Sequence, residues 1–354
     1  MAYTTVNKHT DYFNTKIYNG TGSNGNAITG VGFQPDWLWI KDRNYGGNYS
    51  HRLYDSIRGV NSALSSDNNS AASQYAQYGQ LESFDSNGFT VGQGTSNGAA
   101  MNDNGDSHVS WNWKAGTTGS GTTTGAGTGK AYSYSVNTTA GFSIVKYLGN
   151  GTVNHTIPHH LGVAPKMIIT KNLDSGVTWI VGHDSITWAN ILFLDTDASK
   201  SDDSNAFNDV APTSTVWNVG GGNGNNSDNV NYVSYCFAEK TGYSKFGQYV
   251  GNSNSNGTFV YCGFKPSLIL IKVHDGTNNW HLYDNKREGY NVDNDMLRPN
   301  LNSTEQTDDD IDILSNGFKL RRSTTAFNGS SNTYIYMAIG QSLVGSNNIP
   351  CTAR

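Results

Sequence analysis

A tyrosine beside an aspartate recurs along the sequence and is the first candidate for chemistry. Tyr54-Asp55 and Tyr283-Asp284 are such pairs, and His183-Asp184 stands at the corresponding place between them. A phenol next to a carboxylate can hold a sugar by stacking and hydrogen bonding. Alternatively, the aspartate closes a turn through its own backbone and the tyrosine packs in a core. Recurrence along the chain favours this second, structural interpretation.

Acidic clusters are the second candidate, because calcium prefers hard oxygen ligands. The candidates are Asp308-Asp309-Asp310-Ile311-Asp312, Asp195 with Asp197, Asp202 with Asp203, and Asn102-Asp103-Asn104-Gly105-Asp106. The last of these lacks the distal glutamate of a calcium-binding loop. We interpret all four as solvated loops and expect no metal site.

Three histidines, His155, His159 and His160, surround Pro158. Neutral imidazoles bind zinc, but no cysteine or further histidine stands at a second useful spacing. We therefore interpret this cluster as a loop that leads into the next turn.

Catalysis finds no support in the sequence, and we expect neither an enzyme nor a cofactor. A glycoside hydrolase needs two carboxylates that flank the scissile bond. Glutamate is scarce, and Glu239 and Glu288 lie beside repeated elements rather than in an unusual insertion; the others are Glu82 and Glu305. The nucleophile-elbow, zinc-protease and phosphate-loop motifs are absent from the sequence.

The elements that would position these side chains occur three times. Each copy has glycine, an apolar residue, any residue and proline, then a mostly apolar run, then lysine six residues after proline, at 32–41, 162–171 and 263–272. Proline suits a strand entrance, and the short apolar run predicts a strand buried on both faces. From this glycine to a closing aromatic residue is 73 residues in copies two and three (162 to 235, 263 to 336) and 79 in copy one (32 to 111).

Many short strands with frequent turn signals predict an all-β protein of three tandem antiparallel β-sandwich repeats, of jelly-roll or lectin-like type. We expect repeat one at 1–116, repeat two at 131–240 and repeat three at 241–354. Residues 117–130 are rich in glycine and threonine, which is typical of a flexible linker. Repeat one would then be flexibly joined, whereas repeats two and three would pack as a rigid pair.

Charge and hydropathy exclude several classes of partner. The net charge of −5 argues against nucleic acid, and the basic pairs Arg321-Arg322 and Lys286-Arg287 read as solvated turns. No apolar run approaches the roughly 18 residues of a membrane span, so we expect no membrane insertion. The first residues lack the apolar region of a signal peptide, which predicts synthesis in the cytoplasm. Cys236 and Cys262 lie in strand-like runs and read as small core residues; Cys351 is the third cysteine.

Long segments of the chain resemble a repeat family that is common in tailed bacteriophages, especially marine ones. The segments are 32–41, 51–60, 83–92, 111–116, 138–145, 159–169, 235–247 and the end at 349–354. The resemblance covers essentially the whole chain. It implies a virion structural protein, of tail-fibre or surface type, with a lectin-like sandwich. It assigns no catalytic or binding residue.

These observations predict a phage virion surface protein of tail-fibre or adhesin type that binds the host cell surface through glycan. Flat aromatic and amide side chains suit sugars, and many copies on one particle would strengthen weak single sites. The alternative is a non-catalytic capsid decoration or structural fibre protein that contacts only other virion proteins. Either way we expect the protein on the virion, with other virion proteins as partners. Phage fibres commonly form homo-oligomers, which gives a trimer as the expectation.

Overall fold

The computed structural model describes residues 4–44, 49–96, 98, 100–288, 291 and 293–344, and the regular secondary structure in these ranges is almost entirely antiparallel β-strand. The prediction of an all-β sandwich architecture is confirmed. The end at 345–354, with Cys351, lies outside the described residues. Within the described ranges, no helix has the length and apolar character needed to cross a membrane.

The strands of repeat one are β1 (Phe13–Asn19), β2 (Asn26–Thr29), β3 (Trp37–Asp42), β4 (Arg52–Asp55), β5 (Gln80–Asp85), β6 (Gly88–Gly92) and β7 (Ser107–Trp113). The Gly/Thr-rich segment contributes β8 (Thr117–Thr122) and β9 (Thr124–Gly125). Short 3₁₀ helices lie at His9–Asp11, Ala76–Tyr78 and Asp184–Ile186.

The strands of repeat two are β10 (Ala131–Asn137), β11 (Phe142–Leu148), β12 (His155–Pro158), β13 (Met167–Asn172), β14 (Ile180–His183), β15 (Asn190–Phe193), β16 (Ser201–Asp202), β17 (Val216–Val219) and β18 (Asn231–Phe237), with the short helix α1 (Ser204–Phe207). Those of repeat three are β19 (Ser244–Val250), β20 (Phe259–Tyr261), β21 (Phe264–Val273), β22 (His281–Asp284), β23 (Asp293–Met296), β24 (Gln306–Leu314), β25 (Gly317–Leu320) and β26 (Thr333–Ser342).

One strand order recurs in three sheets, which we call the core sheets. The orders are β1-β7-β3-β4, β11-β18-β13-β14 and β19-β26-β21-β22; the second is extended by β10 and β8 at one edge and by β15 and β16 at the other. Each core sheet faces an outer sheet, with the orders β2-β6-β5, β17-β12-β9 and β20-β25-β24-β23. The strand that follows proline (β3, β13 or β21) is central in each core sheet, and its side chains are buried on both faces as predicted, apart from Lys265 at the start of β21.

Alternation along these central strands sends side chains to two different cores. Leu38 and Ile40 point into the core between the two sheets of repeat one. Trp37 and Trp39 point the other way, into a core to which all three repeats contribute. We call this the central core; repeat two adds Met167 and Ile169, and repeat three adds Leu268 and Leu270, among others.

The central core explains why repeat one is not a separate, hinged unit. A core sheet that is apolar on both faces would expose its second face if its repeat stood alone. Exposure costs about 25 cal/mol for each Å² of apolar surface, so the sheets pack against one another instead. The prediction that repeat one is flexibly joined was therefore wrong, because the three core sheets bury one another.

Three hydrogen bonds close the repeats into a ring. Each donor stands just before the fourth strand of its core sheet, and each acceptor is a main-chain oxygen in another repeat. The bonds run from Trp179 Nε1 to Ser65 (2.9 Å), from Trp280 Nε1 to Phe193 (2.8 Å) and from His51 Nε2 to Arg298 (3.1 Å). Repeat two thus bonds to repeat one, repeat three bonds to repeat two, and repeat one bonds to repeat three. The three repeats are thus joined in a closed cycle within one chain.

The lysine that is the last but one residue of each central strand is buried. The Nζ atoms of Lys41, Lys171 and Lys272 donate to the main-chain oxygen of the following residue at 2.9, 2.6 and 2.7 Å. Burial lowers the pKa of each to about 8. These lysines therefore satisfy carbonyl groups at strand ends rather than binding a ligand.

The segment predicted to be a flexible linker is paired β-strand over residues 117–122 and 124–125. Strand β8 pairs with β10, so that Gly119 lies opposite Tyr134 and Gly121 opposite Tyr132. The tyrosine rings lie over these glycines, since a Cβ added at Gly119 would be 2.6 Å from Tyr134 Oη. The prediction was wrong because composition alone does not show the cross-strand partner that covers the glycines.

We expect Gly119→Val to release this segment from the sheet. The added side chain would displace the ring of Tyr134 and destabilise the protein by about 1–3 kcal/mol. Limited proteolysis should then cut between residues 117 and 130, and urea unfolding should report the loss. The matched control is Ser120→Val on the same strand, where the side chain is exposed. Equal protease resistance of both variants would show that the segment does not depend on this packing.

Candidate functional site

Asp55 and Asp284, from the recurring Tyr-Asp pairs, are fully buried between repeats. Asp55 accepts main-chain hydrogen bonds from Ile57 and Arg58, and its other oxygen accepts Tyr235 Oη of repeat two at 2.8 Å. The interpretation in which the aspartate closes a turn therefore applies to these pairs. Both aspartates close turns, but they also join neighbouring repeats, which the sequence did not indicate.

Asp284 makes the equivalent junction between repeats three and one. Its Oδ2 accepts Trp111 Nε1 at 3.0 Å and pairs with Arg287 at 2.6 Å. Arg287 also contacts Glu305 at 2.7 Å. Burial opposes ionisation of Asp284, but the Arg287 guanidinium and the hydrogen bonds hold its pKa below the ordinary value. The Lys286-Arg287 pair is not a solvated turn, because the Arg287 side chain is buried.

The third junction, between repeats two and three, uses a different pair of groups. The predicted correspondence of His183-Asp184 with the Tyr-Asp pairs was wrong by one residue, because His183, not Asp184, stands in place of the aspartate. Its Nε2 donates to the Tyr336 main-chain oxygen at 3.3 Å. The strand register aligns Met337, rather than Tyr336, with Trp111 and Tyr235. The prediction that Tyr336 is the closing residue of repeat three was thus wrong by one residue, because Met337 is the structural equivalent. The Met337 side chain has no proton to donate to a carboxylate. His183 needs no such donor, because it donates its own proton to a main-chain oxygen.

The pH dependence of stability should carry a contribution from His183. Burial lowers its pKa from 6.5 to about 4; the Tyr336 carbonyl and Asp184 act against this, while His274 and Lys166 act with it. Between these pH values the unfolded chain binds a proton that the folded chain does not, so this contribution to stability falls as the pH falls from 6.5 to 4.

The comparison that isolates this effect is wild type against His183→Asn, in urea unfolding at pH 7 and pH 4.5. Asparagine does not titrate, so the stability of the wild type relative to the variant should fall in acid, by on the order of 2 kcal/mol. An advantage that stays constant across this range would contradict the assignment.

The acidic run at 308–312 lies in strand β24, so the prediction of a solvated loop was wrong there. Asp310 is buried and accepts Tyr283 Oη at 2.8 Å. Arg322 pairs with Asp308 and Asp310, and Arg321 pairs with Asp312. Burial raises the pKa of Asp310 to about 6, against these hydrogen bonds.

The other acidic candidates are also explained by local structure. Asp195 accepts the main-chain N–H of Trp179 at 3.0 Å. Asn102 is buried and accepts the N–H of Thr21 at 2.9 Å, as Asn226 and Asn328 do from Asn150 and Asn252 in the other repeats. Among the described residues, no three His, Cys, Asp or Glu side chains are grouped to hold a metal ion.

The three clustered histidines point to separate partners. His155 begins β12, a strand rather than a loop, and hydrogen-bonds Thr123 at 2.7 Å. His159 contacts the Thr213 main-chain oxygen at 3.1 Å, and His160 stacks on Tyr134 with ring centroids 3.7 Å apart. Cys236 and Cys262 are buried and free, as expected of small core residues.

A cleft in repeat two, absent from the sequence-based candidates, has the chemistry of a binding site. We call it the repeat-two cleft; it measures about 190 Å³ and is lined by Val177, Thr178, Ile180, Ile191, Phe193, Asp203, Asn205, Ala206, Gly222, Asn223 and Gly224. Its floor is apolar, with Phe193 half-buried against the core of repeat two. Carboxylate and amide groups surround this floor.

Neighbouring hydrogen bonds hold the walls of the cleft in place. Asp203 caps α1 by accepting the Asn205 N–H at Oδ1 (3.0 Å), which leaves Oδ2 for a ligand hydroxyl. The Asn223 main-chain oxygen accepts Asn172 Nδ2 and Tyr232 Oη, both at 3.0 Å, which anchors the backbone of this exposed lining residue. The backbone of Phe193 is anchored in the same way, because its main-chain oxygen accepts Trp280 Nε1 at 2.8 Å.

Glycine allows the two walls to approach each other. A Cβ at Gly222 would lie 2.9 Å from the Asn205 main-chain oxygen, and one at Gly224 would clash with Ile180. Three consecutive glycines, Gly220-Gly221-Gly222, stand in this loop only in repeat two, although the corresponding loop of repeat one at 92–98 also carries glycines. This break in the repeat pattern is the signal that could have identified the site from the sequence.

The donor and acceptor types in the cleft suit polyhydroxylated ligands. Amides both donate and accept hydrogen bonds, as sugar hydroxyls do, and an aromatic floor suits the apolar face of a sugar ring. Asp203 is the single carboxylate among the lining residues, whereas glycoside hydrolysis uses two.

The comparisons with other proteins extend over nearly the whole chain but supply no activity. The family described as "Domain of unknown function (DUF7483)" matches residues 8–342. No curated protein and no solved structure matches the sequence. Since the match spans all three core sheets, the chain belongs to the DUF7483 family.

Proposed function

We propose that this chain is a non-catalytic surface protein of a bacteriophage virion, of tail-fibre or adhesin type, that binds glycan on the host cell. The observation that carries the binding activity is the repeat-two cleft. Features that recur between repeats hold the molecule together, as Asp55, Asp284 and the buried lysines do. The cleft is built from α1 and the loop with three consecutive glycines, rather than from these residues.

The assignment to a virion rests on the sequence resemblance to phage repeat proteins. The cleft supplies what an adhesin needs, an apolar floor with a few fixed polar groups. A single small site would bind weakly, and many copies on one particle would compensate.

The test is binding of purified protein to host cells, with and without prior removal of surface polysaccharide. We expect saturable binding that is lost when the polysaccharide is removed, and also lost in Phe193→Ala. The matched control is Phe259→Ala, because Phe259 is an exposed phenylalanine in repeat three, outside the cleft. Absence of binding by folded wild-type protein would contradict the adhesin function.

A second candidate function is a capsid decoration or structural fibre protein that contacts only virion proteins. It is favoured by an exposed patch on repeat three, formed by Val250, Phe259 and Tyr261. Phe259 and Tyr261 lie on β20, at the edge of its outer sheet. Strand edges with exposed apolar side chains are suited to protein contacts. In this case Phe259→Ala, rather than Phe193→Ala, would impair association with virions.

A further inference from the structure

We infer that the repeat-two cleft selects a single, uncharged sugar ring at the end of a glycan and binds it without a metal ion. This inference rests on the proposed function and specifies its ligand. It is argued from the size of the cleft, the charges that line it and the polar atoms that it presents.

Size limits the ligand to one ring. The cleft measures about 190 Å³, below the roughly 300–1,000 Å³ of sites that bury a drug-sized molecule. One wall is α1 with Asn205, and the other is the glycine-rich loop at Gly222, which approaches it closely. A cleft of this size receives the terminal residue of a glycan, while the rest of the chain stays in solvent.

Charge excludes acidic sugars. The lining residues, all of them in the described part of the chain, include Asp203 and no lysine, arginine or histidine. Asp202 precedes Asp203 and is exposed. A uronic acid or sialic acid would bring a second carboxylate to Asp203 without a cation to balance it, and like charges at short range repel strongly where water is partly excluded.

The polar atoms suit neighbouring hydroxyls of a neutral ring. Asp203 Oδ2 is an acceptor, and the Asn205 and Asn223 amides each supply donors and an acceptor. These groups surround the ring of Phe193, on which a sugar can place its C–H face. They bind hydroxyls directly, and the cleft offers one carboxylate where calcium would need several oxygen ligands.

The experiment is calorimetric titration of the full chain with neutral and acidic monosaccharides, with and without EDTA. The probes are glucose, galactose, mannose, N-acetylglucosamine, glucuronic acid and sialic acid. We expect at least one neutral sugar to bind, unaffected by EDTA, and the acidic sugars to bind at least tenfold more weakly. Phe193→Ala should weaken neutral binding about tenfold or more, while Phe259→Ala leaves it unchanged.

Asp203→Asn is the sharpest variant, because asparagine can still cap α1. The substitution removes a charge-assisted hydrogen bond, so the affinity for neutral sugars should fall about tenfold. It also removes the repulsion between carboxylates, so the ratio of the affinity for neutral sugars to that for glucuronic acid should become smaller. Acidic sugars that bind as well as neutral ones, or binding that EDTA abolishes, would overturn the inference and leave host-glycan binding intact. Cell binding by the wild-type protein that no monosaccharide inhibits would also overturn the inference. Absence of cell binding by the folded wild-type protein would instead contradict the proposed function.

Discussion

Asp284→Ala should destabilise the protein by about 3–5 kcal/mol. Its carboxylate pairs with Arg287 and accepts the Trp111 indole N–H, so the substitution leaves the buried guanidinium with Glu305 as its remaining carboxylate partner and leaves the indole N–H without its acceptor. Removing one partner of a buried ion pair costs more than the pair itself contributes, because the remaining charge stays away from water. Urea unfolding at pH 7 measures the loss.

The matched control for this substitution is Asp184→Ala in repeat two. Asp184 pairs with Lys166 at 2.7 Å, but both side chains are more than a third exposed. Exposed ion pairs contribute roughly 0–1 kcal/mol, so this variant should be close to wild type. A similar loss of stability in the two variants would show that the junction between repeats does not depend on the buried pair.

His183→Asp should be nearly as damaging, although it restores the residue type found at the other two junctions. The new carboxylate would face the Tyr336 main-chain oxygen, which is an acceptor, and Met337 cannot donate to it. Asp55 pairs with Arg58 as Asp284 pairs with Arg287, in each case three residues along the chain. The residue three positions after His183 is Ile186, which is buried in the central core. An unpaired carboxylate in this position should cost about 3–5 kcal/mol.

Two comparisons separate charge from shape at this position. Asparagine is similar in size to aspartate and carries a hydrogen-bond donor, so His183→Asn should lower the free energy of unfolding by only about 1 kcal/mol. Adding Ile186→Arg to His183→Asp supplies the missing cation, and the pair should be more stable than the sum of the single effects by at least 1 kcal/mol. Additive effects would mean that the two positions are not coupled in the way that Asp284 and Arg287 are.

The three junctions together explain a pattern that looked irregular in the sequence. The Tyr-Asp pair of repeats one and three becomes Gly182-His183 in repeat two, where the facing strand supplies Met337 instead of Trp111 or Tyr235. Every junction joins residues from two repeats. The change to His183 on one strand can therefore be explained only together with the change to Met337 on the facing strand. Spacing along the chain does not contain this information.

The candidate site was not predicted, for a related reason. Sequence analysis weighed residues that recur, and recurrence here reflects the packing of three equivalent sheets. Phe193, Asp203 and Asn223 are separated along the chain and come together only because the glycine-rich loop packs against α1. Asp203 was noted as an acidic residue, but its role as a cap that leaves one oxygen to a cleft depends on that packing.

The sequence by itself determined the strands, the sandwich class and the burial of the segments after proline on both faces. These features depend on local spacing, because alternation along a strand decides which side chains share a face. Tertiary structure alone decided that the three core sheets share one core, that residues 117–122 form a strand and that repeat two has a cleft. Each of these depends on a partner distant in sequence: Tyr134 covers Gly119, Trp111 reaches Asp284, and the loop at Gly222 meets Asn205.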